Sequence, residues 1–244
     1  MAKGLCVLIH GFTGTPEELA PLADALYAEG YDVEIPVLPG HCGSKADLES
    51  ATASQWLHSV EPVIEAGVVE GPVHLVGFSM GAMIAAVMAA KYPVASVTML
   101  APAVFYVGTK QLFRQIAGVI KESWDRGALA SNYLKERIER VSQTPLRSVK
   151  QFRRIIQLGK AALSEIQQPV CIVQGVHDEV VEPRGATFVY HNVLSPDKEL
   201  HWLNQSGHML CYGPEYETLN QLLVDFLGRH PDTRNPLFNH AQAE

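Results

Sequence analysis

The chain has 244 residues, 47% of them hydrophobic and 18% charged, with a formal net charge of −7 and a pI near 5.8. That length fits one α/β domain with an insertion, and the apolar share is enough for a large core. The acidic balance argues against a nucleic-acid surface, and no apolar run free of polar breaks is long enough to span a membrane.

The four cysteines, Cys6, Cys42, Cys171 and Cys211, form no C-x-x-C pair. A strand pattern begins within a few residues of Met1, with no signal-peptide pattern before it. Free buried thiols and a cytoplasmic location are the expectation.

Residues 5–9 are a continuous apolar run, as in a strand buried on both faces of a parallel sheet. They lead into His10-Gly11-Phe12-Thr13-Gly14. Thr15-Pro16-Glu17-Glu18 then reads as a capping box with proline at the first helical position. Leu19, Leu22, Ala23 and Leu26 give that helix an apolar face, and Gly30 closes it. Residues 33–38 read as the next strand, and 39–44 as a loop containing His41 and Cys42. Thr52-x-x-Gln55 caps another helix, whose inner face carries Trp56, Leu57, Val60, Val63 and Ile64.

Gly71-Pro72 breaks the chain before the apolar run 73–76. Gly77-Phe78-Ser79-Met80-Gly81 follows, and residues 80–90 are apolar or small on every side, which suits a buried helix. A serine on so sharp a strand-to-helix corner sits in a strained backbone, with its hydroxyl pushed out at the sheet's edge. The flanking residues must be small because strand and helix nearly touch, and Gly77 and Gly81 meet that need. The new helix directs free N–H groups and its positive dipole end at the serine's surroundings.

Tyr92-Pro93 stops the helix, and residues 94–100 read as a further strand. The alternation then lapses. Residues 104–168 show only helical periodicity, with one stripe at Leu112, Phe113, Ile116, Val119 and Ile120, a second at Tyr133, Leu134, Ile138 and Val141, and a third at Val149, Phe152, Ile155 and Ile156. That length is too great for a loop, so it reads as a helical cap inserted over the strand ends. A strand at 169–174 resumes the pattern and runs into Gly175-Val176-His177-Asp178-Glu179. A helix at about 183–194, a strand at 198–203, the loop Gln205-Ser206-Gly207-His208-Met209 and a last amphipathic helix with Tyr216, Leu219, Leu222, Leu223 and Phe226 complete the series. The division expected is a core of 1–103 and 169–228, a cap of 104–168 and a polar tail of 229–244.

Such alternation specifies a doubly wound, mostly parallel α/β sheet of about six strands with right-handed crossovers. Ligands of these sheets sit beyond the carboxyl ends of the strands. His10 to Gly14, Ser79, Asp178 and His208 all fall at such ends. A serine hydroxyl needs a base, histidine supplies one near neutral pH, and a carboxylate behind it holds the imidazole in the right tautomer. The order Ser79, Asp178, His208 is the one expected for hydrolases with this elbow. Glu179 and Asp197 compete with Asp178 for the carboxylate role. Two backbone N–H groups should stabilise an oxyanion, one from Met80 and the other from the loop after the first strand, where Phe12 is the best placed. His10 and His41 read as pins for their loops. No metal-ligand spacing, P-loop or dinucleotide fingerprint occurs, so neither metal nor cofactor is expected.

Taken together these residues resemble the α/β-hydrolase superfamily, and more narrowly the small bacterial carboxylesterases related to monoacylglycerol lipases. The resemblance rests on His10-Gly11-Phe12-Thr13-Gly14, Gly40-His41, Gly77-Phe78-Ser79-Met80-Gly81, Gln143-Thr144-Pro145, His177-Asp178-Glu179 and Gln205-Ser206-Gly207-His208. It implies a triad of Ser79, Asp178 and His208, oxyanion donors at Phe12 and Met80, a small helical cap, and hydrolysis of a small-molecule carboxylic ester. Cys42 departs from the pattern by standing where such proteins often carry glycine.

Phe105, Leu112, Phe113, Ile116 and Met209 are the candidates to line an acyl pocket suited to short or medium chains. Thioesterase or peptidase action on the same triad, and a small-molecule receptor on the same scaffold, are the alternatives. Epoxide hydrolases and dehalogenases would want aspartate at position 79.

Overall fold

Five apolar residues in a row, Leu5–Ile9, form strand β1, which has a parallel partner on each side. In the computed structural model, which describes residues 2–105, 141 and 144–231, these partners are β2 (Asp32–Glu34) and β3 (Val73–Phe78). Beyond β3 come β4 (Ser96–Leu100), β5 (Val170–Gly175) and β6 (Lys198–Leu203), giving one six-stranded sheet in the order β2-β1-β3-β4-β5-β6. Each neighbouring pair is parallel, so the carboxyl ends of all six strands lie along a single edge. Strands β3, β4 and β5 are buried at every position, as expected for the middle of a parallel sheet covered on both faces, and the polar residues they carry, His74, Ser96, Thr98 and Gln174, are buried with them.

Strand β2 is shorter than the expected 33–38. Pro36 and Pro39 offer no N–H to a ladder, and the Leu38 amide donates to His10 Nε2 at 3.2 Å. A side chain from the loop after β1 thus takes the hydrogen bond that would have extended the edge strand.

Helix α1 (Ala20–Ala28) is entered through a 3-10 turn, Pro16–Leu19. The capping box read at Thr15 to Glu18 does not form. Thr15 makes no side-chain cap bond, and its hydroxyl goes to the Glu17 carboxylate. The Glu18 carboxylate turns back to the Gly11 amide, which competes successfully for it. The box at Thr52 and Gln55 does form at the start of α3 (Ala53–Glu70), and Ser44 with Asp47 builds another at α2 (Lys45–Ser50).

Helix α4 (Met80–Lys91) follows β3 and is covered almost all round, as its uniformly apolar sequence requires. Helix α5 (Leu146–Ala162) crosses it closely. A Cβ on Gly159 would approach the Met83 carbonyl to 2.7 Å, so glycine sets that distance. Ser148 Oγ donates to the Leu48 carbonyl, and the Ala53 amide donates to Gln151 Oε1, tying α5 to α2 and α3. Of the apolar stripes read in residues 104–168, those at 112–120 and 133–138 lie outside the described residues. Helices α6 (Arg184–Asn192) and α7 (Tyr216–Gly228) flank β5 and β6.

Cys6, Cys171 and Cys211 are buried, and none of the four cysteines is in a disulfide. Burial pushes the Cys6 and Cys211 thiols up to about 12, which keeps them protonated and inert. Cys42 is exposed, because the loop that carries it, 39–44, is on the surface.

His74 is fully buried in β3, with Nδ1 2.8 Å from Ser96 Oγ. Burial, and then the charge of His230, lower its pKa from 6.5 to about 4. The unfolded chain therefore takes up this proton first. Stability falls as pH drops below about 6.5, and the loss from this group is complete near pH 4, at a total cost of roughly 3 kcal/mol. His74→Gln, which keeps a polar partner for Ser96 but does not titrate, should flatten that part of the stability profile in urea titrations between pH 7 and pH 4.

Candidate active site

The corner between β3 and α4 is built by what Gly77 and Gly81 lack. A Cβ on Gly77 would collide with the Gly81 carbonyl and the Ala82 backbone, and one on Gly81 with the carbonyls of Ile9 and His10. Between them Ser79 adopts φ 55°, ψ −112°, outside the regions open to most L-residues. The Ser79 amide donates to the Leu100 carbonyl at 2.8 Å, and its carbonyl accepts from Ala103 at 3.2 Å, so the end of β4 clamps the corner. Thr13 and Ala101 also have positive φ, at 62° and 44°. Ser79 and Ala101 follow directly on the ends of β3 and β4, and Thr13 lies in the loop after β1, places where backbone strain of this kind commonly accompanies function.

His208 comes from the loop after β6. Its ring lies against Phe78, the residue before Ser79, with centroids 4.9 Å apart. Its Nδ1 is 2.8 Å from Asp178 Oδ2. Asp178 follows β5 and is held from several sides. Its Oδ1 accepts from the Val180 and Val181 amides at 2.9 and 3.0 Å, and its Oδ2 accepts from Gln174 Nε2 at 3.0 Å. Both side chains of the pair are buried. An Nδ1–H donating to this carboxylate leaves Nε2 with its lone pair, the tautomer a base requires. The two rival carboxylates stand elsewhere. Glu179 is exposed, and Asp197 lies before β6, 3.6 Å from His230.

The His208 loop is anchored at both ends. Gly175 permits the Gly207 backbone to pass directly over the end of β5, and the His177 amide donates to the Ser206 carbonyl. Glu215 collects three donors from the same loop: the Asn204 amide at 3.1 Å, the Gln205 amide at 2.8 Å and Ser206 Oγ at 2.7 Å. Burial acts to raise the Glu215 pKa, but these hydrogen bonds together outweigh it and hold the group below its ordinary value.

The loop after β1 is equally constrained. His10 accepts from Leu38 through Nε2, so Nδ1 carries the proton and faces the Gly11 carbonyl at 3.0 Å. His10 thus spends both ring nitrogens on backbone. His41 packs edge-on against His10 and Trp56, and Trp56 Nε1 donates to the Pro39 carbonyl. The Phe12 ring stacks on Phe152 of α5, with centroids 4.8 Å apart, and so fixes the loop to that helix. Met80 is the first residue of α4, and its amide has no carbonyl within its own helix to bond. Met209 is buried beside His208 in sequence. Phe105 packs edge-on against Phe188, with Lys160 and Arg184 over its face. Leu112, Phe113 and Ile116 lie outside the described residues.

Two residues here escaped the sequence reading. Glu18 is buried, with Oε2 accepting from the Gly11 amide at 3.0 Å and filling the space that a side chain at Gly14 would need. The signal was an acid four residues beyond the second of two glycines, which looked like half of a capping box. Gln174 is a polar residue at the end of an otherwise apolar strand, and that anomaly pointed to a polar neighbour such as Asp178.

Comparison with known proteins places this geometry in context. The family model described as serine aminopeptidase, S33 matches residues 1–215. A thermostable monoacylglycerol lipase of Bacillus sp. (strain H-257) is 28% identical over 92% of this chain and 90% of its own. A carboxylesterase of Bacillus subtilis (strain 168) is 22% identical over 91% of each. Among solved structures, one described under LipS and LipT, two metagenome-derived lipolytic enzymes, superposes with a TM-score of 0.77 at 21% identity, covering 94% of this chain and 95% of that one. A monoacylglycerol lipase of Paleococcus ferrophilus gives a TM-score of 0.70 at 18% identity, covering 93% and 95%. At these identities the structures show a common fold.

Removing the Glu18 carboxylate leaves a buried amide at Gly11 without that acceptor. Glu18→Ala should lower the unfolding free energy by about 1–3 kcal/mol, read from urea titration. Glu18→Gln keeps an acceptor oxygen and should lose less.

Proposed function

Because the chain belongs to the family described as serine aminopeptidase, S33, and has the α/β-hydrolase fold, we propose that it hydrolyses carboxylic esters through an acyl-enzyme on Ser79. The observation that carries this reading is the 2.8 Å contact of His208 Nδ1 with Asp178 Oδ2, packed against the residue that precedes a strained serine. The names of the two Bacillus relatives, a monoacylglycerol lipase and a carboxylesterase, favour an ester over other acyl compounds.

In the first step His208 Nε2 takes the Ser79 proton as Oγ attacks the carbonyl carbon. The imidazolium so formed is stabilised by Asp178, whose own orientation is held by Val180, Val181 and Gln174. The carbonyl oxygen becomes negative and meets the Met80 and Phe12 amides, aided by the positive end of α4. His208 then gives its proton to the departing alkoxide. Water repeats the sequence on the acyl-enzyme, releasing the acid and restoring Ser79. Rigid loops matter because the donors must already point at the charge as it develops.

In this reading residues 104–168 form the cap over a core of 1–103 and 169–228. The cap residues Phe105, Leu112, Phe113 and Ile116, with Met209 from the core, line an apolar acyl site for short to medium chains, and monoacylglycerols are among its candidate substrates. The family's own description names an aminopeptidase, which keeps peptide-bond cleavage as the second reading.

Ser79→Ala should abolish both burst and turnover of p-nitrophenyl butyrate while leaving the circular dichroism unchanged. Retained turnover would overturn the mechanism. Asp178→Asn should lower kcat by roughly 10³–10⁴-fold, because the imidazole loses its tautomer control. Across p-nitrophenyl esters of increasing length, kcat/KM should peak at short or medium chains, and a flat profile would remove the acyl site. Aminoacyl p-nitroanilides assayed alongside should be poor substrates, and a preference for them would favour the peptidase.

A further inference from the structure

We propose that Cys171, Glu199 and His201 form a binding site for a divalent transition-metal ion of the zinc type, separate from Ser79. Parallel pairing of β5 with β6 sets Cys171 beside Glu199 and Val173 beside His201. The two-residue period of a strand then puts all three side chains on the same face. One donor atom from each, the thiol sulfur, a carboxylate oxygen and an imidazole nitrogen, lies within 4.8 Å of the other two.

A second observation singles out the histidine. His201 Nε2 is shut off from solvent and has no aligned hydrogen-bond partner, although it lies 3.2 Å from Glu199 Oε1. A buried imidazole nitrogen left in this state costs free energy, and a metal ion would satisfy it. Thiolate, imidazole and carboxylate are the donors zinc accepts, at about 2.0–2.3 Å. Tetrahedral ligands at those lengths stand roughly 3.5 Å apart, so the three groups need close by only about 1 Å. Glu199 and His201 are partly exposed on the edge strand and can make that adjustment around the fixed, buried Cys171.

The surroundings suit a cation. An open groove lined by Glu199, His201, Glu217 and Asp225 leads to the cluster from solvent and leaves room for water as a fourth ligand. Its carboxylates draw in positive charge. Arg229 opposes this charge, but it engages the other oxygen of Glu199, with Nη2 2.8 Å from Oε2, and leaves Oε1 toward His201. On binding, the Cys171 S–H bond breaks, its proton passes to water, and a sulfur–metal bond forms without any change of oxidation state. The ion would join β5 to β6 some two to four residues, roughly 7–13 Å, upstream of the strand ends that carry Asp178 and His208. It would brace those loops from below and take no part in the chemistry.

The test uses the full chain, untagged and freed of metal by chelation. With Co²⁺ it should bind one ion per chain and show a near-ultraviolet thiolate-to-cobalt band, and Zn²⁺ should displace that ion and raise Tm. Cys42→Ser, which removes the exposed thiol, should leave the band unchanged. Cys171→Ser should abolish it. His201→Ala should weaken Zn²⁺ binding by more than about tenfold, since even an outer partner of a metal ligand is worth that much. Absence of the band, its loss in Cys42→Ser with survival in Cys171→Ser, or unchanged Zn²⁺ affinity in His201→Ala would each overturn the proposal. His201 is on the edge strand and partly exposed, so its variant decides the matter even if Cys171→Ser fails to fold.

Discussion

The close approach of β3 and α4 around Ser79 is the constraint on which the rest of the site depends. Strand and helix meet there with backbone against backbone, which two glycines permit and any larger residue would prevent. The left-handed turn at Ser79 costs on the order of 1–3 kcal/mol by itself. It persists because β3 and β4 are buried along their whole lengths and α4 is packed on nearly every side. The strain is therefore held by the strongest part of the core, and the hydroxyl is left at the sheet's edge.

Around that corner, three loops are each organised by a carboxylate that gathers hydrogen-bond donors. Glu18 takes the Gly11 amide in the loop after β1. Asp178 takes the Val180 and Val181 amides in the loop after β5. Glu215 takes the Asn204 and Gln205 amides in the loop after β6. Acceptors that are charged make stronger hydrogen bonds than neutral ones, and one carboxylate can satisfy several amides in a turn with no sheet or helix partners. The same device thus serves structure at Glu18 and Glu215. At Asp178 it serves structure and also orients His208.

Helix α5 ties several core elements together. It packs on α4 at Gly159, is tied to α2 and α3 by Ser148 and Gln151, and presents Phe152 to the Phe12 ring. A stacked aromatic pair of this kind contributes about 0.5–1.5 kcal/mol beyond its burial. The loop that bears a candidate oxyanion donor is therefore braced from outside the sheet, by helix α5. Further along, Gln168 donates to the Ala89 and Tyr92 carbonyls and closes the end of α4 just before β5 begins.

The sequence by itself determined the parallel sheet, the succession of its strands and the edge at which Ser79, Asp178 and His208 emerge. Unbroken apolar runs, helix caps and glycine spacing are local signals, and parallel strands leave their carboxyl ends on one side whatever the details. Tertiary structure decided what depends on groups remote in the chain. It shortened β2 because His10 captured the Leu38 amide, and it replaced the Thr15 capping box because Gly11 captured Glu18. It chose Asp178 as the carboxylate bonded to His208, through a loop that leaves Glu179 in solvent. It also brought Cys171 beside Glu199 and His201 across two strands, a grouping that no spacing along the chain announces. The division has one physical cause. Burial pattern and backbone preference act over a few residues and can be read in order, whereas a side chain's choice among competing hydrogen-bond partners is settled only after the fold has brought them together.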